Sequence, residues 1–228
     1  MSGQPSPSQR PGSAAAARAD KGLSGRFIVL DGPDGCGKST QVKMLCRALA
    51  SQGVDSVALR DPGDTQIGEA IRTILLSPEH ARMSTRTELL LYMASRAQLW
   101  SERIRPALEG GLCVVLDRWV SSTCAYQGHA GGFGVDRVIR VAGQALERVW
   151  PDLTVILDVD LATAATRIQR ELDRMERKGH EYHQRVREGF LELAQGREGF
   201  VVIDAARDVD TVHAEVVQAV DLHGPKPV

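Results

Sequence analysis

The sequence predicts an α/β domain built on a five-stranded parallel sheet, flanked by helices and doubly wound. Three observations carry that expectation. Five short apolar runs, at residues 27–30, 56–59, 112–116, 153–159 and 200–203, are spread along the chain. Near-continuous apolar runs of this length suit strands buried on both faces of a parallel sheet. Segments of helical period separate the runs, as parallel crossovers require. The first run leads straight into a glycine-rich loop and then a helix. With 228 residues, 43% of them hydrophobic, the chain can bury one substantial core, so one domain suffices.

Residues 1–24 stand apart. They are rich in Ser, Pro, Gly and Ala, with Asp20 the only acid and Arg10, Arg18 and Lys21 the bases. Such a stretch cannot offset its ordering entropy, so a disordered tail is expected ahead of a domain over 25–224. Its basic residues give it a faint transit-peptide character without an amphipathic helix, and it has no apolar core for a secretory signal.

The first strand meets Gly32-Pro33-Asp34-Gly35-Cys36-Gly37-Lys38-Ser39, followed by Thr40. Gly32 to Ser39 fits G-x-x-x-x-G-K-[ST]. The glycines let successive backbone N–H groups turn inward, making an anion-binding concavity at a helix N-terminus. Lys38 brings a charge to the β/γ-phosphates and the Ser39 hydroxyl is a ligand for Mg²⁺. Val42, Leu45, Cys46 and Leu49 share one face, which predicts a helix over 39–51 with Gly53 as its stop. Strand, loop and helix in this order point to a P-loop NTPase fold binding ATP or GTP. A thiol at that helix start, Cys36, is expected to carry thiolate character and react readily, with Cys46 and Cys113 slow as core residues.

Further helices are predicted over 68–76, 86–109, 137–148, 162–195 and 211–222. Ligands of doubly wound sheets bind beyond the carboxyl ends of the strands, so the residues just after each run carry the information. The second run ends in Arg60-Asp61-Pro62-Gly63-Asp64-Thr65, which by itself signals only a turn. The third ends in Asp117-Arg118. That carboxylate can hold Mg²⁺ through water while the guanidinium grips a transferring phosphoryl group, or the two can serve an ordinary salt bridge. Trp119 to Gly128 then offers hydroxyls and an amide to the same cleft.

Composition narrows the partners. A net charge of −1 with no long basic run argues against a nucleic-acid or membrane surface. No apolar stretch reaches the ~18 residues that span a bilayer. Cys36, Cys46, Cys113 and Cys124 follow neither zinc nor disulfide spacing, so free thiols in a reducing cytoplasm are expected. His180 and His183 lack a metal-binding spacing.

Phe27 to Thr40, Arg60 to Thr65, Tyr92-Met93-Ala94-Ser95-Arg96, Asp117-Arg118 with Ala125-Tyr126-Gln127-Gly128, and Pro151-Asp152-Leu153-Thr154 together resemble thymidylate kinase, in order over about residues 26–222. The resemblance implies transfer of the ATP γ-phosphoryl to thymidine 5′-monophosphate (dTMP) with Mg²⁺, as a step of dTTP synthesis, in a cytoplasmic homodimer with a mobile lid over about 165–182. It implies that Asp34 holds the deoxyribose 3′-hydroxyl, Tyr92 stacks on thymine and Arg96 reads a base carbonyl. Arg60 and Arg118 fall at the acceptor phosphate, and Ser122, Thr123, Tyr126 and Gln127 complete the dTMP contacts. Gly35 stands where some members carry arginine, and members with glycine there usually supply the cation from the lid instead. Arg167, Arg170 and Arg174 would share one face if helical, bringing Arg170 or Arg174 to ATP; a solvated charged helix is the alternative. Asp61, Asp64, Trp119 and Cys36 depart from common family choices, and the lid looks slightly short. Two rival classes stay open, a regulatory ATPase that hydrolyses ATP without an acceptor and a non-catalytic nucleotide-binding module.

Overall fold

A computed structural model describes residues 22–223. Among them, strands β1 (Phe27–Asp31), β2 (Ser56–Arg60), β3 (Cys113–Asp117), β4 (Leu153–Asp158) and β5 (Phe200–Asp204) form one parallel sheet in the order β2-β3-β1-β4-β5. Helices α1 (Lys38–Ser51), α2 (Gln66–Leu76), α3 (Thr85–Leu99), α4 (Arg105–Glu109), α5 (Val120–Thr123), α6 (Val135–Ala145), α7 (Leu161–Arg167), α8 (His180–Ala194) and α9 (Val209–Leu222) connect and follow the strands.

Alternation along the central strands explains why their sequences read as unbroken apolar runs. Ile28, Leu30 and Val115 enter one core with Leu45 and Leu49 of α1 and Val212 and Val216 of α9. Phe27, Val29, Val114 and Leu116 enter the opposite core with Leu89 and Met93 of α3 and Val138 of α6. Each face is therefore covered by helices, as a parallel sheet demands. Leu30 and Arg60 both lie opposite Asp117 in register, which sets the carboxyl ends of β1, β2 and β3 level. The chain leaves β1 toward β3 and β2 on one side and reaches β4 and β5 on the other, so a crevice opens at this switch point.

The structure departs from the sequence expectation in several places. Four strands run one residue further than their apolar runs, ending in Asp31, Arg60, Asp117 and Asp204, because the ladder continues into the polar residues at the site. The helix expected over 86–109 is interrupted by a π-type turn over Trp100–Ile104. Residues 120–130, which fall outside every expected strand and helix, form α5 and a second π-type turn over Cys124–Ala130. The expected helix over 162–195 is two helices, α7 and α8, joined by an irregular limb that includes a short turn over Glu176–Lys178. There the Asp173 carboxylate accepts the backbone N–H groups of Met175 and Glu176, the local competition that keeps Asp out of helix interiors. Arg167, Arg170 and Arg174 therefore do not share a helical face. The expected tail lies outside the described residues except for its last three, and Leu23 among these is packed in the core beside α1 and α9.

Candidate active site at the carboxyl edge of the sheet

The donor side is built from backbone. Gly32 and Gly35 adopt φ of 139° and 79°, and a Cβ at either would run into the backbone carbonyl of Leu157 or Ala164. Position 35 therefore has no room for an arginine side chain. Gly37 starts α1 without a side-chain cap, so the first N–H groups of the helix stay available to an anion. The Lys38 ammonium donates to the carbonyls of Gly32 at 3.1 Å and Pro33 at 2.7 Å. Ser39 Oγ donates to Asp117 Oδ2 at 2.5 Å, an all-oxygen pair of the kind Mg²⁺ takes. A cleft of about 680 Å³ opens here, lined by the loop, Arg60, Asp117, Arg118, Arg167 and Arg170 among others.

The structure revises Cys36. Its side chain is 2% exposed and 3.3 Å from Lys38 Nζ. Burial raises the thiol above its ordinary range despite the attraction of Lys38, so it is a packed thiol rather than a reactive one. Cys46 is the partly exposed cysteine.

The acceptor side is built from side chains brought in by many elements. An inner chamber of about 90 Å³ is lined by Tyr92, Arg96, Thr123, Tyr126 and Gln127, and it shares Asp34, Asp61, Arg72, Arg118 and Arg170 with the outer cleft. Arg96 is 1% exposed. It donates Nε to Asp61 Oδ2, Nη1 to Thr123 Oγ1 and Nη2 to the Trp119 carbonyl, each at 2.7 Å. Of the five N–H groups in a guanidinium, two remain beyond these three bonds. Tyr92 lies one turn before Arg96, whose guanidinium sits 5.6 Å from the Tyr92 ring centre.

Arg118 links the two chambers. It holds φ at 72°, an uncommon conformation for a residue with a Cβ and one that concentrates at functional sites. Its guanidinium donates to the Gly32 carbonyl at 3.0 Å, Ser122 Oγ at 2.9 Å and the Asp34 carboxylate, and lies 5.4 Å from the Tyr126 ring centre. Burial pushes the Asp34 carboxyl up, but Arg118, Lys38 and the Tyr126 hydroxyl outweigh it and hold it at about 2. For Asp61 burial wins over Arg96, and its carboxyl is pushed up to about 6.

Two carboxylates hold this region together, Asp31, to which sequence reasoning gave no role, and Asp64, which it noted only as a departure from the family. Asp31, fully buried at the end of β1, accepts the Ser121 and Ser122 hydroxyls at 2.6 Å and the Gly32 N–H at 2.9 Å. Its position directly before the glycine-rich loop was the available signal. Asp64, with φ of 57°, accepts the Arg60 N–H at 2.6 Å; Asp tolerates the left-handed conformation that glycine more often fills. Arg60 itself pairs with Glu69 at 2.7 Å and faces the outer cleft only.

The lid arginines part company. Arg170 lines both chambers and is gripped by Glu176 through two bonds of 2.7 Å. Arg167 lines the outer cleft and donates to the carbonyls of Ala205 and Ala206. Arg174, expected beside ATP, lines neither chamber. It is 5% exposed and bound to Glu88 and the Leu75 carbonyl.

Comparison with known proteins bears on this geometry. The family model described as thymidylate kinase matches residues 30–216. A thymidylate kinase of Caldanaerobacter subterraneus is 44% identical over 201 residues, covering 87% of this chain and 96% of its own. One from Geobacillus is 40% identical over 203 residues, covering 87% and 97%. The crystal structure of thymidylate kinase from Ehrlichia chaffeensis superimposes with a TM-score of 0.71 at 29% identity, covering 86% of this chain and 98% of that one. The chain belongs to the thymidylate kinase family.

Proposed function

We propose that the outer cleft takes the triphosphate of ATP and the inner chamber takes dTMP, so that the two phosphates meet beside Asp34 and Arg118. The reaction is that of the family, phosphorylation of dTMP to the diphosphate with ATP, in dTTP synthesis. The observation that carries the division of roles is the pair of adjoining cavities with Asp34, Arg118 and Arg170 common to both.

The acceptor phosphate is ionised at neutral pH, so transfer needs alignment and charge neutralisation more than a base. Lys38 and the loop N–H groups hold the donor phosphates. Arg118 sits where the transferring group passes and stabilises the charge that develops there. Asp34, ionised well below neutral pH, orients Arg118 and Tyr126 and accepts the sugar hydroxyl. Arg72, which lines both chambers, faces the acceptor phosphate, and Arg60, which lines the outer cleft only, reaches it from that side. Tyr92 stacks on the base, Arg96 donates to a base carbonyl, and Ser122, Thr123 and Gln127 complete the pocket. Mg²⁺, held by Ser39 and through water by Asp117, would neutralise the phosphate oxygens. Arg170 is the lid cation best placed for ATP, exchanging Glu176 for phosphate as the lid closes. Arg174 is not assigned to ATP. A homodimer acting in the cytoplasm goes with this reading; among the described residues no helix is long and apolar enough to cross a membrane.

The test is ADP release from ATP against a panel of nucleoside monophosphates. Stimulation by dTMP far above the acceptor-free rate is expected. Strong release without any acceptor, unchanged by dTMP, would instead favour a regulatory ATPase.

A further inference from the structure

Behind the inner chamber lies an ionic cluster that the transfer chemistry does not use. Glu88, in the first turns of α3, is 1% exposed. Its carboxylate accepts from Arg174 Nη1 at 2.6 Å, Gln127 Nε2 at 2.7 Å and Lys178 Nζ at 3.2 Å. Those donors come from separate places. Arg174 and Lys178 lie on the limb between α7 and α8, and Gln127 lies on the π-type turn that lines the acceptor chamber.

Arg174 is held further by the end of α2. Its Nε donates to the Leu75 carbonyl at 2.6 Å and its backbone N–H to the Leu76 carbonyl at 3.0 Å. Its Nη2 is buried with no hydrogen-bond partner. One carboxylate thus faces two cations in a nearly dry setting, an arrangement that apolar packing would often outdo in stability. Glu88 also precedes Tyr92 by one helical turn and Arg96 by two, so all three share one face of α3. Two residues beyond Arg174, Glu176 grips Arg170, the lid cation in the cleft.

We propose that Glu88 is a positioning residue that latches the returning limb of the lid to the helix carrying the acceptor-pocket residues. The lid and the dTMP pocket then share one buried anchor. Glu88 fixes the amide of Gln127 on the pocket side and Arg174 on the lid side, and through the step to Glu176 it sets the place of Arg170. This inference rests on the assignment of the inner chamber to dTMP.

Two readouts on Glu88→Gln test it. The substitution keeps the shape and removes the charge, leaving Arg174 and Lys178 without their counter-ion. Limited trypsin digestion of the nucleotide-free protein reads the latch directly, because Arg174 and Lys178 are both cleavage sites. Cleavage after these residues should accelerate about tenfold or more, given that one unmet buried charged bond is worth roughly that factor. The kcat/KM for dTMP should fall by about tenfold or more on the same ground, while KM for ATP rises by less, since the glycine-rich loop is untouched and only Arg170 is displaced. Glu88→Asp, which keeps the charge, should recover part of both. Unchanged digestion and unchanged kcat/KM in Glu88→Gln would overturn the latch.

If Glu88→Gln fails to fold, Arg174→Met reads the same bond from the lid side. Its effect on kcat/KM should shrink in a Glu88→Asp background, because bonded partners are not additive. Equal losses in both backgrounds would overturn the latch. Wild-type protein that ignores dTMP would sink the functional reading instead, a result separable from the digestion pattern.

Discussion

The two halves of the site are made differently. The donor half is one continuous stretch, Gly32 to Thr40, whose shape comes from glycine backbone and a helix N-terminus. The acceptor half is assembled from Asp61, Tyr92, Arg96, Arg118, Thr123, Tyr126 and Gln127, which come together only when α3, α5, the ends of β2 and β3 and the π-type turn after α5 are in place. The donor half is a device for any nucleoside triphosphate. Choice of acceptor has to reside in the assembled half, where buried side chains are committed to one another before a ligand arrives.

The largest expected effect falls on the donor half. Lys38→Ala removes a charge from the transferring phosphates and should lower turnover on the order of 10²-fold or more. Circular dichroism should stay native, and near-normal turnover would contradict the assignment of the loop. Arg96→Ala probes the other half by a different route, because it strands Asp61 in the interior. Breaking a buried pair in this way costs about 3–5 kcal/mol, so the variant should melt well below wild type. Adding Asp61→Asn should return part of that stability, and a double variant no more stable than the single would mean that the pair is not coupled as drawn.

Such contrasts explain what the chain revealed before its fold was known. The loop was legible because its chemistry is local, with spacing and conformation fixed over nine residues. The sheet was legible too, since helices on both faces force unbroken apolar runs in its central strands. Less legible were the places where side chains override local preference. The helical pattern of the lid stops at Arg167, where Ile168 turns extended, and Asp173 caps Met175 and Glu176 further on, so the three arginines that would share a face in a continuous helix are dispersed. Asp31 and Glu88 looked like ordinary residues of a strand end and a helix, since only the fold shows them to be buried hubs. Resemblance to the family located Tyr92, Arg96 and Arg118, but not what holds them.

Asp61 of the acceptor half and Asp34, which lines both chambers, should titrate in opposite senses. Asp61 is pushed up to about 6, so the folded protein binds a proton there that the unfolded chain has released. Its stabilising contribution is full below about pH 4 and is lost as pH rises through about 6. Asp34 is held at about 2; its contribution is present above pH 4 and is lost as pH falls toward 2. Denaturant unfolding between pH 4 and 7 should therefore carry an Asp61 component that vanishes in Asp61→Asn. A wild-type profile superimposable on that variant would show that Asp61 keeps an ordinary carboxyl.

The smallest expected effect concerns thiols. Cys36 is buried with a raised pKa and Cys46 is partly exposed, so alkylation should label Cys46 first, with Cys36 slow even without nucleotide. Fast, ATP-sensitive labelling of Cys36 would instead restore the reactive thiol expected from its place in the loop.

The separation of the two halves is tested most directly by one ratio, kcat/KM for dTMP over kcat/KM for dCMP, measured in wild type, Lys38→Ala and Arg96→Ala joined with Asp61→Asn. Arginine offers only donors, so it suits the O4 carbonyl of thymine and leaves the amino group of cytosine unmet. The ratio should be large in wild type, unchanged in Lys38→Ala although both rates fall, and collapsed in the Arg96 variant. A ratio that survives the loss of Arg96, or that moves with Lys38, would contradict a donor loop indifferent to the acceptor and a pocket that selects it.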